Sequence, residues 1–259
     1  MNKPCSDPQP PSLGGLCNLP NTITCCNLIS GCIATWFAFN SDYRMALLFI
    51  IVGAVFDFFD GMTARLLHVS SPIGKELDSL ADVVTFGVAP SAILYAQLTV
   101  MDWPASLQTA ITANSSMTWA QLLSFMAFFM AAFSALRLAK FNLDERQAMG
   151  FIGLPTPANA LFWGSLIAGT HRWLDQLSVG VVTLLVMMFF SCYLLVCEIP
   201  MFALKFKQWG WHGNEVRYLF LISCVPILAF FGITGIAVII AWYVVLSIMT
   251  QRYKANQPS

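Results

Sequence analysis

Charge is what this sequence most lacks. Only 10% of its 259 residues are Asp, Glu, Lys or Arg, 58% are apolar, and thirteen bases balance thirteen acids. An average soluble domain is roughly 45–50% apolar and about 25% charged, so this composition is that of an integral membrane protein. A net charge of zero supplies no global field for nucleic acid. The apolar/polar alternation over about 10 residues that marks an outer-membrane barrel is also missing, which leaves an all-α, polytopic helical bundle. No C-x-x-C pair occurs among the eight cysteines. Cys25, Cys26, Cys32, Cys192, Cys197 and Cys224 fall inside apolar runs and read as buried free thiols. The first 20 residues, MNKPCSDPQPPSLGGLCNLP, lack the apolar core of a signal peptide and read as a Pro-rich cytoplasmic tail.

What the chain has in abundance is long apolar runs. A span needs about 20 residues, and the breakers separate eight candidates: 21–40, 44–67, 75–100, 118–142, 155–172, 177–204, 216–232 and 235–251. Residues 21–251 then form one transmembrane domain, a six-helix core over 21–204 followed by a helix pair over 216–251, with a short tail at 252–259. Only Gly232, Ile233, Thr234 and Gly235 divide the last two runs, so two spans or a re-entrant hairpin fit there. With both termini inside, Lys3, Arg65, Lys75, Arg137, Lys140, Arg146, Lys205, Lys207, Arg217, Arg252 and Lys254 face the cytoplasm. Arg44 and Arg172 alone lie outside, the asymmetry expected of a membrane protein. The external 101–117 loop contains neither Lys nor Arg.

Against this scarcity of charge, residues 56–82, FDFFDGMTARLLHVSSPIGKELDSLAD, hold five acids. Residues three or four apart share a helix face. Asp57 and Asp60 therefore stack near the end of the second helix, and Asp78 and Asp82 near the start of the third. A short connection makes these helices antiparallel neighbours, so four carboxylates converge. At membrane depth such a group is costly unless cations neutralise it. Hard, oxygen-seeking Mg2+ or Mn2+ suits the donors, and the count suits a pair of ions that clamps a reacting phosphorus centre. Gly61 and Ala64 form a small face for close approach, Gly74 lies between the acidic pairs, and Arg65 can fork onto phosphate oxygens or simply anchor the helix end. Glu76 reads as a first-turn helix acid.

The pattern D-x2-D-G-x2-A-R-x8-G-x3-D-x3-D over residues 57–82 resembles the signature of the CDP-alcohol phosphotransferase family, with all eight fixed positions filled. The resemblance implies an enzyme that moves a phosphatidyl-type group from a CDP-linked lipid to an alcohol and releases CMP. It further implies that Asp57, Asp60, Asp78 and Asp82 hold two divalent ions and that Gly61, Ala64 and Arg65 contact the CDP moiety. Asp82 would be the base, and the protein a homodimer.

Three further segments, NLPNTITCCNLISG at 18–31, ALRLAKFN at 135–142 and GFIGLPTPANA at 150–160, are similar to the phosphatidylserine synthase branch of that family. They imply CDP-diacylglycerol as donor, L-serine as acceptor, and a site on the cytoplasmic face of a bacterial-type inner membrane. A sister enzyme using glycerol 3-phosphate or inositol phosphate is the alternative, and a cation transporter a remoter one. Asn21, Thr24 and Asn27 make a polar stripe that either binds the cytosine or ribose or serves as helix cap and back-bonding. Arg137, Lys140 and Asn142 are candidates for holding the acceptor or its phosphates. The GLPTP turn at 153–157 is a rigid loop or part of the site. Glu198 reads as an isolated interfacial acid, and His68, His171 and His212 form no ligand pattern.

Overall fold

The computed structural model describes residues 18–68, 71–112, 116–143, 151–174, 180–201, 210 and 214–255. Most of the expected N-terminal tail lies outside the described residues, as do Arg146, Lys205, Lys207 and His212.

Each early helix starts on a polar cap. In α1 (Leu19–Phe39) the Asn18 side chain accepts from the Asn21 amide at 3.0 Å, and Pro20 occupies the first turn, where its missing N–H costs nothing. In α2 (Tyr43–Leu66) Asp42 caps the Met45 amide. The next helix begins at Pro72, three residues before the expected start, because Ser71 caps the Gly74 amide. It runs as α3 (Pro72–Asp82), a π-helical segment Val83–Val88, and α4 (Ala89–Val100). The Ala89 N–H reaches Val84 O, five residues back. A Thr118/Gln121 capping box opens α5 (Trp119–Ser124), which continues through a 3-10 turn into α6 (Phe129–Leu143).

Beyond these lie α7 (Thr156–Leu174), α8 (Gly180–Val196), α9 (Glu215–Phe231) and α10 (Gly235–Ala255). Among the described residues five helical stretches are long and apolar enough to cross a membrane: Leu19–Phe39, Tyr43–Leu66, Pro72–Val100, Trp119–Leu143 and Glu215–Thr250. The last passes from α9 to α10 through the 3-10 turn Gly232–Thr234 with no intervening loop. Counted as one, it brings the described helices to seven rather than eight.

The sixth expected run also ends early. The helix stops at Val196, and Pro200–Met201 (β2) pairs antiparallel with Phe151–Ile152 (β1). Pro200 cannot continue an α-helix and biases Ile199 toward extended backbone. This ladder holds the turn before α7: the Gly153 amide donates to Ile199 O and the Leu154 amide to Leu194 O, both at 2.9 Å. Gly153 has φ +75, and a Cβ there would sit 2.9 Å from Leu195 O and 3.0 Å from Cys197 O. Glycine is required at that position.

The main core packs Ile50, Phe86, Ile93, Trp163, Ile167 and Met188 from α2, the π segment, α4, α7 and α8. The outer faces carry Trp36, Phe58, Val186 and Phe230 exposed, as lipid contact requires. The six described cysteines are free. Cys192 and Cys197 are buried as expected, whereas Cys25 and Cys32 are exposed, on the outward side of α1.

Close packing joins α1, α2 and the π segment where they meet. The Thr85 hydroxyl donates to Asn27 O at 3.0 Å. Its backbone sits against Gly31, where an added Cβ would lie 2.7 Å from Thr85 Cα, and its methyl sits against Gly53. Both glycines permit a close helix approach that any side chain would block.

Candidate functional site

With α2 and α3 both packed on α1, three of the four carboxylates expected to converge come together. One ligand atom each from Asp57, Asp60 and Asp78 lies within 4.8 Å of the others. Asp82 is outside that group but faces the same charges, one turn deeper along α3. Asp60 and Asp82 are buried, and Asp57 and Asp78 half-buried. So many like charges at this depth repel strongly unless a cation is present. Asp78 Oδ1 is buried without a hydrogen-bond partner among the described residues. An all-oxygen donor set with an unsatisfied acceptor fits a hard divalent cation.

The stripe on α1 turns out to position these acids. Thr24 Oγ1 donates to Asp60 Oδ2 at 2.6 Å, and Asn27 Nδ2 donates to Asp82 Oδ1 at 3.1 Å. Asn27 is itself held through Thr85. Cap and back-bonding are present too, since Asn18 caps Asn21 and the Thr24 hydroxyl also lies 3.1 Å from Pro20 O. The i, i+3 repeat revealed the stripe in the sequence, but its carboxylate partners are 36 and 55 residues away.

Beside the acids opens a cavity of about 260 Å3, lined by Asn21, Thr24, Gly61, Ala64, Gly74 and Lys75 among others. A Cβ on Gly61 would meet nothing within 4 Å, so the small face on α2 borders open space. Gly74 has the opposite constraint: its Cβ would lie 3.1 Å from Asn21 Oδ1 and 3.0 Å from Ser71 Oγ. Arg65 is exposed, with Nε donating to Gly61 O at 3.0 Å.

The α6 candidates separate into two kinds. Arg137 is buried, donates from Nη1 to Thr156 Oγ1 at 3.2 Å, and lies near enough to Asp82 for their charges to attract. Lys140 Nζ pairs with Glu198 Oε1 at 3.1 Å, so Glu198 is not the isolated acid expected from its position. Nothing in a linear reading links residues 58 apart. Asn142 braces α3, donating to Ser79 Oγ at 2.8 Å and accepting from Lys75 Nζ at 3.0 Å. At the opposite ends of the helices, Arg44 and Arg172 share a pocket with Asp42 and His171.

The sequence model of the family described as CDP-alcohol phosphatidyltransferase matches residues 17–193, from before α1 into α8. Among curated proteins, the chain is similar to the CDP-diacylglycerol–serine O-phosphatidyltransferase of Bacillus subtilis. The two are 37% identical over 139 residues, covering 54% of this chain and 69% of the relative. The protein of the same name from Mycobacterium bovis is 27% identical over 247 residues, 93% of this chain and 77% of the relative. A third, from Methanocaldococcus jannaschii, is 34% identical over 150 residues, covering 58% and 60%.

Proposed function

Because the chain belongs to the CDP-alcohol phosphatidyltransferase family, we propose that it transfers the phosphatidyl group of CDP-diacylglycerol to the hydroxyl of L-serine, forming phosphatidylserine and CMP. The observation that carries this reading is the convergence of Asp57, Asp60 and Asp78 beside a cavity walled by Gly61, Ala64 and Gly74. The names borne by its relatives support the choice of donor and acceptor.

Asp57, Asp60 and Asp78 would hold Mg2+ or Mn2+, which when bound supplies Lewis-acid polarisation of the diphosphate oxygens. The four-carboxylate, two-ion arrangement implied by the resemblance would also draw on Asp82. Asp82 is here assigned chiefly the base role, because Asn27 occupies Oδ1 and holds the carboxylate in place. Its second oxygen takes the proton of the serine hydroxyl. The serine oxygen forms the new bond to the phosphorus that carries diacylglycerol, and the bond from that phosphorus to the CMP oxygen breaks, its electron pair leaving with CMP. The Gly61/Ala64 face admits the nucleotide, with Asn21 and Thr24 on the facing wall. Arg65 releases Gly61 O to meet the diphosphate.

Donor acyl chains stay in the bilayer while serine enters from water, with the site on the cytoplasmic side of a bacterial-type inner membrane. The homodimer implied by the resemblance belongs to the same proposal. The test is to offer purified protein CDP-diacylglycerol with serine, glycerol 3-phosphate or inositol phosphate and follow CMP release. A lipid product from glycerol 3-phosphate and none from serine would refute the acceptor assignment.

A further inference from the structure

A chain of buried hydrogen bonds in α7 and α8 leads to a donor that none of the described residues uses. Trp163 Nε1 donates to Ser191 Oγ at 3.0 Å, and Ser191 Oγ donates to Asn159 Oδ1 at 3.0 Å. An indole nitrogen can only donate. It therefore commits the Ser191 hydroxyl to passing its own proton on to Asn159, which fixes the amide with Oδ1 toward Ser191 and Nδ2 away from it. Asn159 is fully buried, and Nδ2 has no partner among the described residues. Proteins rarely leave such a group unsatisfied.

A second unused donor is linked to the first. Arg137 spends Nη1 on Thr156 Oγ1, while its Nε is buried without a partner among the described residues. Thr156 and Asn159 are one turn apart on α7, so their side chains stand about 5–6 Å apart at Cβ. Arg137 also stands close to Asp82 in charge terms. One turn of α7 thus anchors two buried, unspent donors, a guanidinium held at Thr156 and an oriented amide on Asn159. A planar anion with two acceptor oxygens complements such a pair. The diphosphate of the donor has the aspartate cluster and its cation; the carboxylate of an amino-acid acceptor has no other buried cationic partner among the described residues.

We infer that Arg137 Nε and Asn159 Nδ2 form the subsite for the acceptor's α-carboxylate, with Ser191 and Trp163 as positioning residues that aim the Asn159 amide. This rests on the reading of the acceptor as serine. It accounts for a fully buried asparagine in the first turn of α7.

The test uses the full-length protein purified in detergent, with CDP-diacylglycerol as donor and either L-serine or L-serinamide, which lacks the carboxylate charge, as acceptor. Asn159→Asp replaces two donors with acceptors at constant shape. It should raise KM for L-serine about tenfold or more and cut the serine-over-serinamide preference by a similar factor, with KM for CDP-diacylglycerol unchanged. Calorimetric titration with L-serine should lose affinity in parallel. Ser191→Ala, which frees the amide to turn, should give a smaller rise of about two- to fivefold in the same KM. Should Asn159→Asp fail to accumulate, Asn159→Ala and Ser191→Ala test the same preference ratio. An unchanged ratio would mean that a buried water satisfies Nδ2 and would overturn the inference, as would a rise in the donor KM alone. Failure of wild-type protein to use serine at all would instead bring down the acceptor reading itself.

Discussion

Replacing Thr24 with Val keeps the shape of the side chain and removes one hydroxyl, which makes it a clean probe of how α1 serves the acids on α2. That hydroxyl is buried and donates to Asp60 Oδ2 at 2.6 Å. Its single proton cannot serve Pro20 O at 3.1 Å at the same time, so the shorter, charge-assisted bond takes it. Hydrogen bonds to charged groups contribute about 1.5–3 kcal/mol, which corresponds to roughly ten- to hundredfold in an equilibrium constant. Asp60 is one of three carboxylates drawn within 4.8 Å of each other, and losing its anchor lets it swing away from its neighbours. The affinity of the protein for Mn2+ should therefore fall by about that factor, within the range for losing a partner that orients a metal ligand. Mn2+ paramagnetic resonance on purified protein, titrated from micromolar to millimolar ion, would read it directly. Thr24→Ser should restore most of the affinity, and Thr22→Val, whose hydroxyl meets only Asn18 O, should leave it intact. Wild-type Mn2+ affinity in Thr24→Val would refute the idea that α1 orients the site.

Asp82→Asn should leave Mn2+ and CDP-diacylglycerol binding within a few-fold of wild type while slowing CMP release by about 10²–10⁴; loss of donor binding with turnover preserved would contradict the base role. Gly53→Ala drives a methyl against Thr85 Cγ2 and to 3.0 Å from Asn27 Oδ1, a clash expected to cost about 1–3 kcal/mol. Adding Thr85→Ser removes the clashing methyl and should recover much of the loss in a detergent thermal-unfolding assay. Gly153→Ala combines a positive φ with a Cβ 2.9 Å from Leu195 O. It should destabilise by at least about 1–3 kcal/mol and lower the yield of folded protein recovered from membranes.

The features legible in the sequence were those written in local periodicity. Apart from the end of α8, apolar runs located the helices to within a few residues, and i, i+3 and i, i+4 spacing put Asp57 with Asp60 and Asp78 with Asp82. The same spacing exposed the Asn21/Thr24/Asn27 stripe. Features that depend on tertiary neighbours were not legible. Lys140 and Arg137 sit one turn apart on α6, yet one meets Glu198 at the surface while the other is buried against Thr156. The two-residue strands β1 and β2 are too short to leave a pattern, and they end α8 where hydropathy alone would carry it on. Asn159 looks like an ordinary polar residue in a proline-rich turn until Ser191 and Trp163 are seen to hold its amide.

The π-helical segment Val83–Val88 has a consequence for length rather than chemistry. Each residue of an α-helix turns the chain by about 100°, and the wider π turn absorbs one residue more than an α-helix would. Upstream of it α3 points Asp78 and Asp82 at the acids of α2; downstream α4 turns Ala89, Ile93 and Leu94 into the core. Removing one residue between Val83 and Val88 would let the backbone relax into uninterrupted α-helix with its two halves in nearly their present rotation, whereas removing one from the regular α-helix on either side would swing one half against the other by about 100°. Either the aspartates or the packed face of α4 would then point the wrong way. A one-residue deletion scan along Pro72–Val100 should therefore find tolerance highest within this turn, where the extra residue is held.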